Sequence, residues 1–143
     1  MSVLRVIIVA LDCSDTSDQV IQALDNLDLQ PKTKTILCHV LPSPKSDEDV
    51  IADRPHQSEA ILYQVAEEKL RQYQQHLINS DLEIVSGDAT EEILRLANLY
   101  NADLIVIGNR GLKGVKRVIE GSVSSQVAAD APCSVFIVRY SPQ

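Results

Sequence analysis

Five short apolar segments, rich in β-branched residues, punctuate the sequence, and a helix-like stretch separates each from the next. No other feature narrows the fold as much. The segments are Val3–Leu11, Thr35–Leu41, Asp81–Val85, Ala102–Ile107 and Ser134–Arg139. The first is nearly continuous in apolar character from Val6, and the fourth and fifth are tight apolar runs. Continuous runs of this length predict strands buried on both faces, as parallel sheets require. The third segment alternates instead, with Leu82 and Ile84 on one side and Glu83 and Val85 on the other.

Between these segments the apolar spacing changes to three and four. Ser14 or Asp15 is suited to cap a helix carrying Val20, Ala23, Leu24 and Leu27 on one face. A longer helix is predicted from Ser58 to about Ile78, with Ile61, Leu62, Val65, Ala66, Leu70, Tyr73 and Leu77 along one face. Asp88, with Glu91 three residues on, resembles a capping box for a helix bearing Ile93, Leu96, Ala97 and Tyr100. Gly121 and Ser122 precede a short helix with Val123, Val127 and Ala128, which ends before Pro132. Strict alternation of strand and helix predicts an α/β fold: one domain over residues 1–143, built on a doubly wound five-stranded parallel sheet with helices on both faces. Leu41–His56, with three prolines and four acidic residues, is longer than an ordinary loop and is expected to act as a lid or remain without regular structure.

Composition removes several functions. The net charge of −7 disfavours wrapping DNA or sitting on anionic lipid. Aromatic residues are 3% of the chain, too few for a platform that stacks single-stranded bases. No apolar run approaches the ~20 residues of a membrane span, and no export signal opens the sequence, so a cytoplasmic location is expected. The three cysteines, Cys13, Cys38 and Cys133, are odd in number and widely spaced, which fits a reducing compartment and argues against zinc.

One segment departs from the acidic background. Residues 108–122 hold four of the five glycines, and Arg110, Lys113, Lys116 and Arg117 stand against Glu120 alone. That gives +3 locally and leaves −10 on the rest of the chain. Glycines let backbone N–H groups approach an anion, and Gly121–Ser122 opens a helix whose first N–H groups lack internal partners. A phosphate cradle is the sharper reading. A loop that needs glycines for its turns, with solvated basic side chains, is the plainer one. Neither GxxxxGK[ST] nor GxGxxG is present; the spacing is Gly-x2-Gly-x9-Gly-Ser.

That spacing, after the strand Ala102-Asp103-Leu104-Ile105-Val106-Ile107-Gly108, resembles the nucleotide-binding signature of the universal stress protein family, in its ATP-binding branch. Val9-Ala10-Leu11-Asp12-Cys13-Ser14 resembles the family's opening motif, Gly87-Asp88-Ala89 with Glu92-Ile93-Leu94 the start of its third helix, and Ala131-Pro132-Cys133-Ser134-Val135 the start of its final strand. The resemblance implies an adenine-nucleotide site for ATP, ADP or AMP, with Mg2+ or Mn2+ held on the phosphates. It places Ala10 and Leu11 beside the adenine, the backbone of Val40 on its edge, and Asp12 on the nucleotide near the phosphate-bound ion. Gly108, Gly111, Gly121, Ser122 and Val123 match ribose and phosphate contacts. Arg110 is added by its charge between two glycines. The resemblance also implies strand order 3-2-1-4-5 and a homodimer through the edge strand Ser134–Tyr140.

The expected function is therefore a regulatory, stress-response module that binds ATP and hydrolyses it slowly at most, since no nucleophile–base pair and no group that orients water can be assembled. The alternatives are a protein-interaction or chaperone-like dimer with a vestigial site, and a phosphoryl- or adenylyl-transfer enzyme. The latter is disfavoured because Asp12-Cys13-Ser14-Asp15 stands where synthetases of related architecture carry a Ser-Gly-Gly loop. Asp12 also has a plainer reading as a helix cap, but Ser14 and Asp15 are available for that task. Cys13 is weighed between a thiol activated at a helix N-terminus and a small packed residue, and His39 is expected to be packed rather than a ligand.

Overall fold

The strand that leads the chain becomes the centre of the sheet, because it is the most completely apolar. The computed structural model describes residues 4–42, 57–109 and 122–140. Its elements are β1 (Val6–Ala10), α1 (Asp15–Ala23) with a 3-10 turn at Leu24–Asn26, β2 (Lys34–Leu41), α2 (Gln57–Gln74), β3 (Ser80–Ser86), α3 (Ala89–Leu99), β4 (Leu104–Gly108), α4 (Ser122–Asp130) and β5 (Ser134–Val138). The strands form one parallel sheet in the order β3-β2-β1-β4-β5. Ile7, Ile8 and Val9 of β1 are fully buried, as burial on both faces demands.

Alternation along the strands sorts the core into two layers. Ile7, Val9, Leu11, Leu37 and Val106 pack with Val20 and Leu24, and with Leu70 and Tyr73 of α2. Ile8, Ala10, Ile36, Ile105 and Ile107 pack beneath Ile93, Leu96 and Ala97 of α3 and Val127 of α4. Helices therefore cover both faces, and the change of side between α2 and α3 puts the topological switch between β1 and β4. Ligands in open α/β sheets bind outside the carboxyl ends of the strands at such a point.

Several boundaries differ from the sequence-based expectation by a few residues, and three of them have a local reason. Regular strand begins at Val6 because the N–H groups of Arg5 and Val6 both donate to Asp103 Oδ2, at 2.8 and 3.1 Å. The same contact holds Ala102 and Asp103 in a turn, so β4 starts at Leu104. The second helix stops at Gln74, where N–H groups of residues 75–77 bond three residues back. Its apolar stripe is also only half used. Ala66, Leu70 and Tyr73 are buried, whereas Ile61, Leu62 and Val65 are exposed. Among the described residues, no helix is long and apolar enough to cross a membrane.

Candidate functional site

Three chain segments meet at the carboxyl end of the sheet around β1. The first is Leu11–Ser14, between β1 and α1. Leu11 continues β1 by one bond, its N–H donating to Cys38 O at 2.9 Å. The backbone then leaves the sheet through Cys13, which adopts the left-handed conformation at φ 64°. Ser14 caps α1, its side chain accepting from Thr16 N.

Asp12 sits inside this turn. Its Oδ1 accepts three hydrogen bonds, from Ser14 N at 2.9 Å, Ser14 Oγ at 2.6 Å and Ser17 Oγ at 3.1 Å. Its Oδ2 is buried and has no hydrogen-bond partner among the described residues. Sequence reasoning treats capping and ligand binding as alternatives for Asp12. The structure ties one oxygen into the hydrogen bonds that open α1 and leaves the other over. Ser17 is the residue that sequence reasoning missed, and the repeat Asp12-x-Ser14-x-x-Ser17 is the signal that could have found it.

The Cys13 thiol is not activated. Burial pushes it up to about 11, the Asp12 carboxylate adds to the rise, and Lys69 opposes it. It is a packed residue with a poor nucleophile. Cys38, wholly buried in β2, is pushed up to about 12 for the same reason. Beside Cys13, the Tyr73 hydroxyl donates to Asp18 Oδ1 at 2.6 Å, and Lys69 Nζ lies 5.9 Å from the centroid of the Tyr73 ring. Burial, then the Asp18 bond, raises the Tyr73 hydroxyl. The Tyr73–Asp18 bond fastens α2 to α1 beside the site.

The second segment is the end of β2. Backbone groups alternate in direction along a strand. Cys38 O accepts from Leu11 and Leu41 O accepts from Gly87, so Cys38 and Val40 face β1 while Leu41 faces β3. β1 ends at Ala10, opposite Cys38. The peptide groups of Val40 therefore point past the end of β1, toward Asp12. His39 Nδ1 lies 2.8 Å from Leu11 O, and a carbonyl only accepts, so Nδ1 carries the proton and donates. This is the packed role expected of His39, and it occupies the Leu11 carbonyl beside the site.

The third segment is the end of β4 and the start of α4. Gly108 pairs with Val138. A Cβ on Gly108 would lie 2.8 Å from Thr16 Cγ2 and 3.3 Å from Val20 Cγ2. Its glycine is thus required by the packing of α1 on β4, whatever the loop beyond it does. Asn109 N donates to Val138 O at 3.0 Å, and Asn109 Oδ1 accepts from Tyr140 N at 2.9 Å, which fixes the chain as it leaves the sheet. Ser122 opens α4, Val123 is half-buried against the α3–α4 layer, and Ser124 is buried. Arg110, Gly111, Gly121 and the basic residues between them lie outside the described residues, as do the Ser122 side chain and all of the expected lid beyond Pro42. Of the sequence-predicted site residues, the structure brings together Ala10, Leu11, Asp12 and Val40, with Gly108 on the neighbouring strand.

A family model described as the universal stress protein family matches residues 4–139. The universal stress protein Sll1388 of Synechocystis is 28% identical over 149 residues, covering 94% of this chain and 97% of the relative. Among solved structures, the protein MJ0577 superposes with a TM-score of 0.83 at 20% identity, over 99% of this chain and 100% of that one. A universal stress protein in complex with cAMP superposes with a TM-score of 0.68 at 24% identity, over 98% of this chain and 100% of that one. The match of sequence over nearly the whole length agrees with the strand order and with the placement of the switch point, and the chain belongs to the universal stress protein family.

Proposed function

We propose that this chain is a regulatory module that binds an adenine nucleotide, ATP foremost, at the carboxyl ends of β1, β2 and β4. One observation carries the reading: Asp12 Oδ2 is buried without a partner among the described residues, where three strand ends converge. A buried carboxylate oxygen left unpaired is costly, and a donor group on a bound ligand removes that cost. The Val40 peptide, facing the same space past the end of β1, offers one N–H and one C=O to the edge of a base. Ala10 and Leu11, both buried, supply the apolar floor.

The phosphates belong at Gly108, Gly111, Gly121, Ser122 and Val123, with Arg110 adding charge. At the α4 N-terminus the helix dipole favours an anion. A divalent ion on the phosphates would supply charge neutralisation there. Asp12 fits such an arrangement with one oxygen only, because Oδ1 is already used three times. Nothing assembled at the described part of the site orients a water for attack, so binding rather than turnover is the proposed activity. The cAMP complex of a structural neighbour supports an adenine ligand in this fold. The module works in the cytoplasm as a homodimer joined through Ser134–Tyr140, and occupancy of the site alters a surface that a partner reads.

Calorimetric titration with ATP, ADP, AMP and cAMP tests the reading. At least one is expected to bind, and Gly121→Val is expected to abolish binding by blocking backbone approach. Absence of both heat and a melting shift with all four nucleotides ends the proposal. A mass spectrum of any small molecule that co-purifies identifies the physiological ligand.

A further inference from the structure

We infer that Ser17 is a positioning residue: it fixes the Asp12 carboxylate in the one orientation that reserves Oδ2 for the ligand. The inference rests on the nucleotide-binding reading above and supplies what makes its main acceptor directional.

The hydrogen-bond geometry around Asp12 is asymmetric. A carboxylate has roughly four lone-pair positions over its two oxygens. Among the described residues three donors converge on Oδ1, and none reaches Oδ2. Ser14 supplies two of the three, but it also caps α1 and is only half-buried. Ser17 is 1% exposed and sits one turn into the helix, so its hydroxyl has no water to turn to. Its single proton is also directed. Cys13 N donates to Ser17 Oγ at 2.8 Å, which occupies a lone pair and leaves the hydroxyl proton for Asp12 Oδ1 at 3.1 Å. The backbone that brings Cys13 N back over the first turn of α1 is the left-handed turn at Cys13.

The chemical consequence concerns how many contacts Asp12 makes with a ligand. With Oδ1 filled, the carboxylate presents one oxygen. It accepts one hydroxyl or amino hydrogen, and it does not chelate a cation through both oxygens. A half-turn about the Cβ–Cγ bond only interchanges two equivalent oxygens; a partial turn would swing the unbonded oxygen away from the ligand, and Ser17, held from both sides, opposes that partial turn.

The test uses the full chain and four proteins: wild type, Ser17→Ala, Asp12→Ala and the double variant. ATP affinity is measured by calorimetry. A hydrogen bond to a charged group is worth on the order of tenfold in affinity, so Ser17→Ala is expected to weaken ATP binding about tenfold. In the Asp12→Ala background the same substitution is expected to change affinity less than about twofold, because its effect runs through the carboxylate. An equal loss in both backgrounds shows a merely structural serine and overturns the inference, as does unchanged affinity in the single variant. If Ser17→Ala does not fold, Ser17→Cys, which keeps the volume and weakens the donor, takes its place in the cycle, with the same expectation and the same overturning results. A crystal structure of the nucleotide-free serine variant reads the orientation directly. An Asp12 carboxylate plane turned from its wild-type setting, or spread over two planes, sustains the inference; a single unchanged plane overturns it. That readout needs no ligand, so a wild type that takes no nucleotide ends the proposed function while leaving the positioning role decided by the carboxylate.

Discussion

Asn101 follows α3 and Tyr100 with a backbone at φ 52°, a conformation that costs an L-residue with a Cβ and costs glycine almost nothing. Asn tolerates it better than most, which explains its presence at the helix end. Asn101→Gly is expected to raise stability by about 0.5–1 kcal/mol, and Asn101→Ala to lower it by about 1 kcal/mol, in urea denaturation. The cysteines give a second prediction at this scale. Burial raises Cys13 from 9.0 to about 11 and Cys38 to about 12. Above pH 9 the unfolded chain loses these thiol protons while the folded chain keeps them. The unfolded state then binds fewer protons, so stability is whole below pH 9 and falls as pH rises from there toward the folded values. Denaturation midpoints at pH 8 and pH 10 should show this decline, and Cys38→Ala should make it shallower.

At the scale of elements, the contact between α1 and β4 depends on the missing side chain of Gly108. Gly108→Ala puts a methyl 2.8 Å from Thr16 Cγ2, in a place where neither strand nor helix has room. It is expected to cost about 1–3 kcal/mol, as overpacked cores do. Thr16→Ser removes the opposing methyl and should recover most of that loss, measured as a double-mutant cycle of unfolding free energies. A nucleotide-binding defect in Gly108→Ala that Thr16→Ser repairs would place the defect in α1. The fold was legible in the sequence because β1, β2 and β4 are buried on both faces and read as continuous apolar runs. Helix α2 was legible only in part. Its spacing predicts one face, but only Ala66, Leu70 and Tyr73 of that face are buried, while Ile61, Leu62 and Val65 are exposed. Periodicity reports that a stripe exists, not how far its partner reaches. In the candidate site, the positions of Asp12 and Val40 at the carboxyl ends of β1 and β2 were legible from motif and spacing. The division of labour between the two Asp12 oxygens was not, since it depends on where Ser17 lands after one turn of helix. Gly108 was legible as a required glycine, while its steric reason came only from the α1 side chains opposite.

For the whole molecule the open question of assembly centres on β5, the edge strand beside β4. Asn109 N donates to Val138 O, so Val138 faces β4, and alternation turns the N–H and C=O of Ile137 outward. Ile137 is also 39% exposed, and neither Ser134–Val138 nor its flank at Arg139 places a proline or a central charge on the strand. An apolar edge of this kind invites pairing with another strand. The same strand from a second copy satisfies it with two-fold symmetry, and a closed dimer leaves no further edge at that side. Ile137→Pro separates assembly from folding. Proline removes an N–H that points away from β4, so the β4–β5 ladder keeps its bonds, and edge strands accept proline on the solvent side. Light scattering at micromolar concentration is expected to give a dimer for the wild type and a monomer with unchanged far-ultraviolet circular dichroism for Ile137→Pro. A dimer that survives the proline would mean that the copies meet through some other surface, and the exposed first half of α2 would then be the next apolar face to examine by substituting Ile61 and Val65 with lysine.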